Sequence, residues 1–201
     1  EFYLGLIVLA AVLIGLGAFV IGPRVFTLLR RIREPTILAF STASSEAAYP
    51  KTLQQLERFG VSKRIASFVL PLGYSFNLDG SMMYQAFALL FIAQAYGIEL
   101  TVVQQIMMLL LLMVTSKGIA GVPRASLVVL AATIGQLGLP EGGVLLVLAV
   151  DQFLDMGRSA TNVVGNSVAT VVVAKWERAL STQSQLEPEE AAAPTTRLEA
   201  P

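Results

Sequence analysis

The sequence predicts an all-α integral membrane protein built from transmembrane helices, broken helices and two re-entrant helical hairpins. Of its 201 residues, 55% are hydrophobic and only 14% are charged, whereas soluble domains carry about 25% charged residues. Polar residues interrupt the long apolar stretches near their centres. Irregular backbone is tolerated at membrane depth only around a protein cavity or water, so these interruptions indicate an internal site.

The composition excludes several classes of function. The 14 basic and 14 acidic residues cancel, so we expect no nucleic-acid partner. The sequence has no cysteine and no histidine, which excludes disulfide scaffolds, thiolate zinc sites and serine–histidine hydrolysis. We therefore expect neither an enzyme of these classes nor a cofactor.

Residues 1–34 are predicted to form a transmembrane helix and a basic cytoplasmic loop. The apolar stretch Phe2–Ile21 has the length of about 20 residues that one crossing requires. The arginines between positions 24 and 33 mark the cytoplasmic side. Because the chain starts at Glu1 with no charged segment ahead of the stretch, we expect a missing N-terminal portion rather than a signal peptide.

Residues 35–64 are predicted to form a first re-entrant hairpin. The hydroxyl-rich segment 35–50 is too short to cross the bilayer and has basic residues on both sides.

Residues 65–99 are predicted to form a discontinuous transmembrane helix, because the sequence PLGYSFNLDGS, residues 71–81, interrupts it. Proline, glycine and aspartate do not suit the middle of a lipid-facing helix.

Residues 100–140 are predicted to form a second hairpin, with the glycine-rich sequence TSKGIAGVPR at its tip. We expect Lys117 and Arg124 of this tip to be solvated rim charges. Residues 141–178 are predicted to form the last transmembrane helix. Residues 179–201 have the polar, Ala/Pro-rich composition of a disordered cytoplasmic tail.

The two halves of the sequence form a weak repeat. Each hairpin tip ends in a proline, Pro50 or Pro123, and each is followed by a helix with a central aspartate, Asp79 or Asp155. The first hairpin enters from the cytoplasm and the second from outside, which makes the repeat inverted. Inverted repeats with broken helices are typical of secondary transporters.

The last helix carries a stripe of polar residues. At about 100° per residue, its polar side chains fall within a stripe about 100° wide; they are Asp151, Asp155, Arg158, Ser159, Asn162 and Asn166. A charged residue facing lipid at mid-helix costs about 2.5–3.5 kcal/mol, so the stripe is predicted to face the protein interior. The alternative is a purely structural ion pair between Arg158 and an aspartate.

These residue types indicate what the site binds. Arginine binds a carboxylate through two parallel hydrogen bonds, and aspartate accepts hydrogen bonds from an ammonium group. Together they suit a zwitterion with a second carboxylate. The oxygens of Asn77 and Asp79, with the carbonyls freed at the helix break, suit a hard cation such as Na⁺; the alternative is a simple turn.

Four motifs occur in order: a serine-rich hairpin ending in Ala48-Tyr49-Pro50, then NLDGS, GIAGVP and DMGRSATNVVGN. This combination resembles the dicarboxylate/amino acid:cation symporters, bacterial glutamate and aspartate transporters related to the excitatory amino acid transporters. The resemblance covers residues 1–178. It implies the sixth to eighth spans with both hairpins, in the lipid bilayer of the cell inner membrane. It also implies a homotrimer formed through the missing N-terminal half.

The resemblance also assigns site residues. Arg158 would bind the distal carboxylate of the substrate, and Asp155 would bind its ammonium group. The rest of the substrate pocket would be formed by Ser159, Asn162, Ser45, Val122 and Gly121. The cation sites would be formed by Asn77, Asp79, Gly73, Ser75, Asn162 and Asn166, with Na⁺ at Asn77 and Asp79 as one candidate.

Two departures resemble the proton-coupled glutamate branch of the family. Asn166 stands where sodium-coupled members carry aspartate, and Lys117 adds a positive charge to the second hairpin tip. Both disfavour Na⁺, so we predict coupling to H⁺ rather than Na⁺. A buried carboxyl group can hold a proton near neutral pH, and the candidates are Glu46, Asp79 and Asp151, with Glu46 preferred.

The resemblance therefore predicts a symporter for glutamate or aspartate that works by alternating access, with the second hairpin as its gate. One alternative is a symporter for C4-dicarboxylates such as succinate, fumarate or malate, which would gain nothing from Asp155. Another is an inactive or structural membrane fragment. An intramembrane aspartyl protease using Asp79 and Asp155 is a further alternative, against which Arg158 and the hairpins argue.

Overall fold

A computed structural model describes residues 1–76, 78–117 and 122–181. This part of the chain is helical and holds no named strand, as the sequence predicts. Its α-helices are α1 Phe2–Ile21, α2 Arg24–Thr42, α3 Tyr49–Phe59, α4 Lys63–Phe76, α5 Asp79–Ala95, α6 Val102–Thr115, α7 Ala125–Ile134, α8 Gly143–Leu148 and α9 Asp151–Trp176. A 3₁₀ turn, Gly135–Leu137, extends α7.

Helix α9 is the centre of the fold. It packs against α1, α2, α4 and α5, and most of its length is buried. Its C-terminal half joins a hydrophobic cluster with α2, α3 and α4, which includes Leu28, Leu56, Leu70 and Val171. The N-terminal half of α9 carries the polar stripe. The site is therefore placed on the most enclosed helix of the described chain.

A second hydrophobic cluster joins α5, α6 and α7. Its fully buried side chains include Leu89, Leu112, Leu130 and Ile134. Helix α6 begins with a capping box, in which the Thr101 hydroxyl accepts from the Gln104 N–H and the Gln104 side chain accepts from the Thr101 N–H. The second hydrophobic cluster holds α6 and α7 beside α5.

Helix α1 has the properties of a membrane-spanning helix. Within the described ranges it is the one helix that is both long and apolar enough to cross a bilayer, and only 11% of its most apolar window is buried. Its outward side chains, Leu4, Ile7, Val8, Val12 and Leu16, are apolar and exposed. Such a face suits contact with lipid or with further apolar helices.

The basic segment 24–34 differs from its prediction, because it is the first half of α2 rather than a loop. Pro35 lies inside this helix and removes one backbone hydrogen bond. Val25, Leu28 and Ile32 are nevertheless fully or almost fully buried. Burial of this apolar face outweighs the local cost of proline, since packing supplies most of the stability of a helix in a folded protein.

The last predicted helix also differs, because it consists of α8 and α9 separated at residues 149–150. Gly143 of α8 packs so closely on Ile92 of α5 that a side chain would clash there. The break lets α8 keep this contact while α9 starts at the buried Asp151.

Part of the predicted tail is ordered. Leu180 forms an antiparallel bridge with Val61, and the Arg24 guanidinium donates to the Ser181 carbonyl at 3.0 Å. Both contacts hold the chain after α9 against the helical bundle. The remainder of that prediction, residues 182–201, lies outside the described residues.

The interruption between α4 and α5 brings the first turn of α5 onto the middle of α9. A side chain on Gly80 would collide with the carbonyl oxygen of Arg158, so the two backbones touch. Glycine is required at this crossing because no other residue lacks the Cβ. This contact places Asp79 and Ser81 beside the polar stripe.

Candidate functional site

The polar stripe of α9 faces the protein interior, as predicted. Each of its members is at most 1% exposed: Asp151, Asp155, Arg158, Ser159, Asn162 and Asn166. Burying charged and amide groups is unfavourable unless they find partners. The contacts of each side chain therefore show how the protein compensates this burial.

Arg158 is the central group of the site. Its Nε donates to Asp155 Oδ1 in a buried ion pair. Its Nη1 donates to Ser81 Oγ at 3.0 Å, and its Nη2 donates to the Val122 carbonyl at 3.1 Å. One guanidinium thus joins α9, the first turn of α5 and the segment ahead of α7.

The Asp155 carboxylate connects α9 to the same segment. Its second oxygen, Oδ2, accepts from the backbone N–H of Arg124 at 2.7 Å. Arg124 takes the left-handed conformation, with φ of 63°, which is uncommon for a residue other than glycine. Asp155 therefore balances the Arg158 charge and fixes a strained backbone position.

Asn162 caps the start of α5. Its Oδ1 accepts from the Gly80 N–H at 2.9 Å and from the Ser81 N–H at 3.4 Å, which are orphan donors of a first helical turn. Its Nδ2 donates to Ser81 Oγ at 3.2 Å. The Ser81 hydroxyl thus accepts from both Asn162 and Arg158 and fixes the positions of these two side chains.

The residues expected to bind cations are only partly brought together. The Asn166 amide lies against Gly73 of α4, and the Asp79 carboxylate lies against Gly165 of α9, in each case where a glycine leaves space. Asp79 is also in the first turn of α5, where the helix dipole favours a negative charge. Ser75 is exposed, and Asn77 lies outside the described residues.

The turn between α2 and α3 packs against the same helix. Ser45 is fully buried, and Ala48 forms a small apolar cluster with Val163, next to Asn162 on α9. Glu46 is exposed, so the preferred proton carrier of the sequence analysis lies in a less buried place than Asp151. Gly121, expected in the substrate pocket, lies outside the described residues.

The second buried carboxylate, Asp151, has its own partners. The Tyr84 hydroxyl donates to Asp151 Oδ1 at 2.6 Å, and Arg124 Nε lies 3.8 Å from Asp151 Oδ2. Lys117, on the other side of the tip, donates to the Phe76 carbonyl at 2.8 Å. Both cations expected as rim charges thus contact the site or the helix break beside it.

Sequence reasoning missed the roles of Ser81, Tyr84 and Arg124. Ser81 and Tyr84 are three residues apart, which places them on one face of α5. Because Ser81 follows the aspartate of the NLDGS motif, the face could have been extended to Tyr84. Arg124 gave no such signal, since its partners lie on another helix.

Comparison with known proteins identifies the type of chain. A family model described as the sodium:dicarboxylate symporter family matches residues 2–176. A proton/sodium-glutamate symport protein of Geobacillus stearothermophilus is 52% identical over 166 residues, which cover 83% of this chain and 39% of the relative. A proton/glutamate-aspartate symporter of Escherichia coli K12 is 52% identical over 168 residues, covering 84% and 38%.

A more distant relative gives the same result. A proton/glutamate-aspartate symporter of Bacillus subtilis is 43% identical over 177 residues, covering 88% of this chain and 43% of the relative. The chain thus spans about two fifths of the length of the curated relatives it matches.

Proposed function

The chain belongs to the sodium:dicarboxylate symporter family, a family of membrane transport proteins, and from this premise we propose that it forms the substrate-binding part of a proton-coupled symporter for glutamate or aspartate. The observation that carries the proposal is the fully buried Arg158 beside the buried Asp155 on α9. The printed names of the relatives, glutamate and glutamate-aspartate symporters, support the same substrates.

The substrate would replace the contact that these two side chains make with each other. Its distal carboxylate would bind the Arg158 guanidinium, and its ammonium group would bind the Asp155 carboxylate. Arg158 already offers two N–H groups to oxygen acceptors, Ser81 Oγ and the Val122 carbonyl. A carboxylate would accept such a pair of donors in the planar geometry that arginine favours.

The rest of the pocket would be formed by the neighbouring polar groups. Ser159 Oγ has no hydrogen-bond partner within the described part of the chain, although it is buried, so it is available to the substrate. Asn162 holds the first turn of α5 in place. Ser45 and Val122 would close the pocket from the turn ahead of α3 and from the segment ahead of α7.

The C4-dicarboxylate alternative uses the same arginine but not Asp155. A second carboxylate of such a substrate would meet the negative charge of Asp155 and be repelled by it. Asp155 lies beside Arg158 in the same buried site, and an amino acid supplies an ammonium group to it. The site therefore favours an amino acid over a dicarboxylate.

The proposed architecture follows the family resemblance. The second half of α2 with α3, and α6 with α7, would be the two re-entrant hairpins, of residues 35–64 and 100–140, in an inverted repeat. At about 1.5 Å per residue, a ten-residue helix such as α7 is about 15 Å long, roughly half of the hydrocarbon thickness. The whole protein would form a homotrimer in the cell inner membrane, in contact with the lipid bilayer.

The second hairpin would act as the gate. The Val122 carbonyl and the Arg124 N–H bond directly to Arg158 and Asp155, the two groups that the substrate needs. The substrate can reach them only when these contacts separate. Alternating access would then follow from exposing the closed site to the other side of the membrane.

Coupling to H⁺ rather than Na⁺ is supported by the charges near the helix break. The Lys117 ammonium donates to the Phe76 carbonyl at the end of α4, a type of ligand that Na⁺ uses in transporters. At about 4 Å, one unit charge is worth about 4 kcal/mol at an effective dielectric of 20, which is about three decades in affinity. Asn166 adds no compensating negative charge.

The candidates for the group that carries the proton are Asp79, Asp151 and Glu46, of which Asp151 is the most buried.

Uptake by the whole protein in proteoliposomes tests this function. We expect an inward proton gradient to drive accumulation of labelled glutamate or aspartate, and replacement of Na⁺ by K⁺ or choline to leave it unchanged. Vesicles without protein, and vesicles with an added protonophore, are the controls. Uptake that follows an inward Na⁺ gradient and ignores the proton gradient would contradict the proposal.

Replacing Lys117 with methionine tests the ion selectivity. Because methionine removes the ammonium group and keeps an apolar side chain, we expect Na⁺ to increase substrate affinity at least about tenfold in this variant and not in the wild type. Lys175→Met, at an exposed lysine near the end of α9, is the matched control. No Na⁺ response in either variant would show that Lys117 does not exclude the ion.

A further inference from the structure

We propose that Arg124 and Asp151 form a latch that keeps the tip of the second hairpin on α9 and that opens when Asp151 takes up a proton. Arg124 is then a positioning residue, and Asp151 is the carrier of the coupled proton. The inference rests on the proposed function, because it assumes that the hairpin is a gate and that the driving ion is H⁺.

The first step concerns the tip and its contacts with α9. Arg158 donates to the Val122 carbonyl, the Arg124 N–H donates to Asp155, and the Arg124 guanidinium lies 3.8 Å from Asp151. The first two contacts occupy groups that the substrate would claim. The third uses a carboxylate that the proposed substrate does not touch, so a different ligand must control it.

The second step concerns the surroundings of Asp151. This side chain is 1% exposed, and the Tyr84 hydroxyl of α5 occupies one of its oxygens. The other oxygen has no hydrogen-bond partner in the parts of the chain that the structure describes, and Arg124 approaches that oxygen. The facing ionisable groups are therefore Tyr84 and Arg124, with Asp155 and Arg158 on α9 itself.

The third step concerns charge. Arg158 makes a direct ion pair with Asp155, so Arg124 is the cation that remains to balance Asp151. A buried carboxylate is unfavourable without a nearby positive charge. Asp151 therefore stays ionised while the tip is closed and takes up a proton when Arg124 moves away. Conversely, a proton bound at Asp151 Oδ2 removes the attraction that holds Arg124.

The backbone of Arg124 supports its role as a movable contact. Its left-handed φ of 63° is unfavourable for a side chain other than glycine and persists only where the surroundings enforce it. The two aspartates of α9 supply that enforcement, one through the backbone N–H and one through the guanidinium. Loss of the Asp151 charge leaves the strained position held by one aspartate.

These steps link the proton to the substrate. Without a proton, the empty site closes on itself and can change sides. When a proton from the outer solution binds Asp151, the tip opens and the substrate reaches Arg158 and Asp155. The latch thereby makes access of the substrate to Arg158 and Asp155 depend on the proton.

The direct test measures opening of the tip without substrate. In the whole protein in nanodiscs, spin labels replace Val128 on α7 and Trp176 at the end of α9, two exposed positions, and their distance distribution is recorded from pH 8 to pH 5. A single linked proton changes the ratio of open to closed tip by up to about tenfold per pH unit. We expect the wild type to open as the pH falls.

The variants Asp151→Asn and Arg124→Gln should each be open at every pH. Lys175→Met should behave as the wild type. If Asp151→Asn fails to fold, Arg124→Gln alone decides, because the Arg124 side chain is 62% exposed and belongs to neither of the two large hydrophobic clusters. A wild-type distance that does not change with pH, or a pH response that persists in Arg124→Gln, would overturn the latch.

The outcome is separable from that of the proposed function. Uptake that does not depend on the proton gradient would refute proton coupling, independently of the distances measured between the spin labels. Proton-driven uptake that is retained with an unchanged proton-to-substrate ratio in Asp151→Asn would refute the latch and leave the proposed function intact.

Discussion

Replacing Arg158 with alanine in the whole protein is expected to weaken binding of glutamate and aspartate by at least about a hundredfold. The guanidinium is fully buried and bonded to three elements of the site. Removing one partner of a buried ion pair costs about 3–5 kcal/mol, which is about two to four decades in affinity. Isothermal titration with each amino acid measures the loss.

The control for this experiment is Arg64→Ala, because Arg64 is exposed on α4. Binding of a neutral amino acid such as alanine or serine by the Arg158→Ala protein would show that the variant is folded and that the lost specificity is for the distal carboxylate. Unchanged affinity for glutamate or aspartate would contradict the assignment of Arg158.

Replacing Asp155 with asparagine is expected to change which substrates bind. The amide keeps an oxygen that can accept from the Arg124 N–H but has no charge for an ammonium group. We expect affinity for glutamate and aspartate to fall at least about a hundredfold, in line with about 3 kcal/mol for a buried charge-assisted contact. The affinity of this variant for succinate and fumarate should fall by less than about tenfold.

Competition assays with the four compounds measure this difference. Glu99→Gln, at an exposed carboxylate after α5, is the matched control. Equal losses for amino acids and dicarboxylates would mean that Asp155 has a structural role, and they would favour the C4-dicarboxylate alternative.

The buried face of α9 could be predicted from the sequence because it depends on a local rule. Residues of a helix repeat every 3.6 positions, and a charged residue at mid-helix must avoid lipid. These two facts are enough to place Asp155, Arg158 and Asn162 on one interior face. The interruption at NLDGS was predictable for a similar reason, since Pro71 and Asp79 bound a polar stretch within apolar sequence.

The partners of these side chains could not be predicted, because they depend on tertiary packing. Ser81 and Arg158 are 77 residues apart in sequence, and Arg124 and Asp155 are 31 apart. The helical state of residues 24–34 was missed for the same reason. The buried side chains of Val25, Leu28 and Ile32 stabilise α2 through Pro35, which local propensity disfavours.

A substrate bound at Arg158 and Asp155 would exchange contacts rather than only add them. Arg158 and Asp155 are bonded to each other and to the tip, so a substrate must first separate them. Only the difference between the new and the lost contacts contributes to binding. Variants of Arg158 and Asp155 therefore change both the empty and the loaded state.

The most direct test of the central claim is a cryo-EM structure of the whole protein with glutamate or aspartate bound. The account predicts the distal carboxylate within about 3 Å of the Arg158 guanidinium nitrogens and the ammonium group at a similar distance from the Asp155 oxygens. It also predicts that the Val122 carbonyl has left Arg158. A substrate bound elsewhere, with Arg158 still bonded to Asp155, Ser81 and Val122, would contradict it.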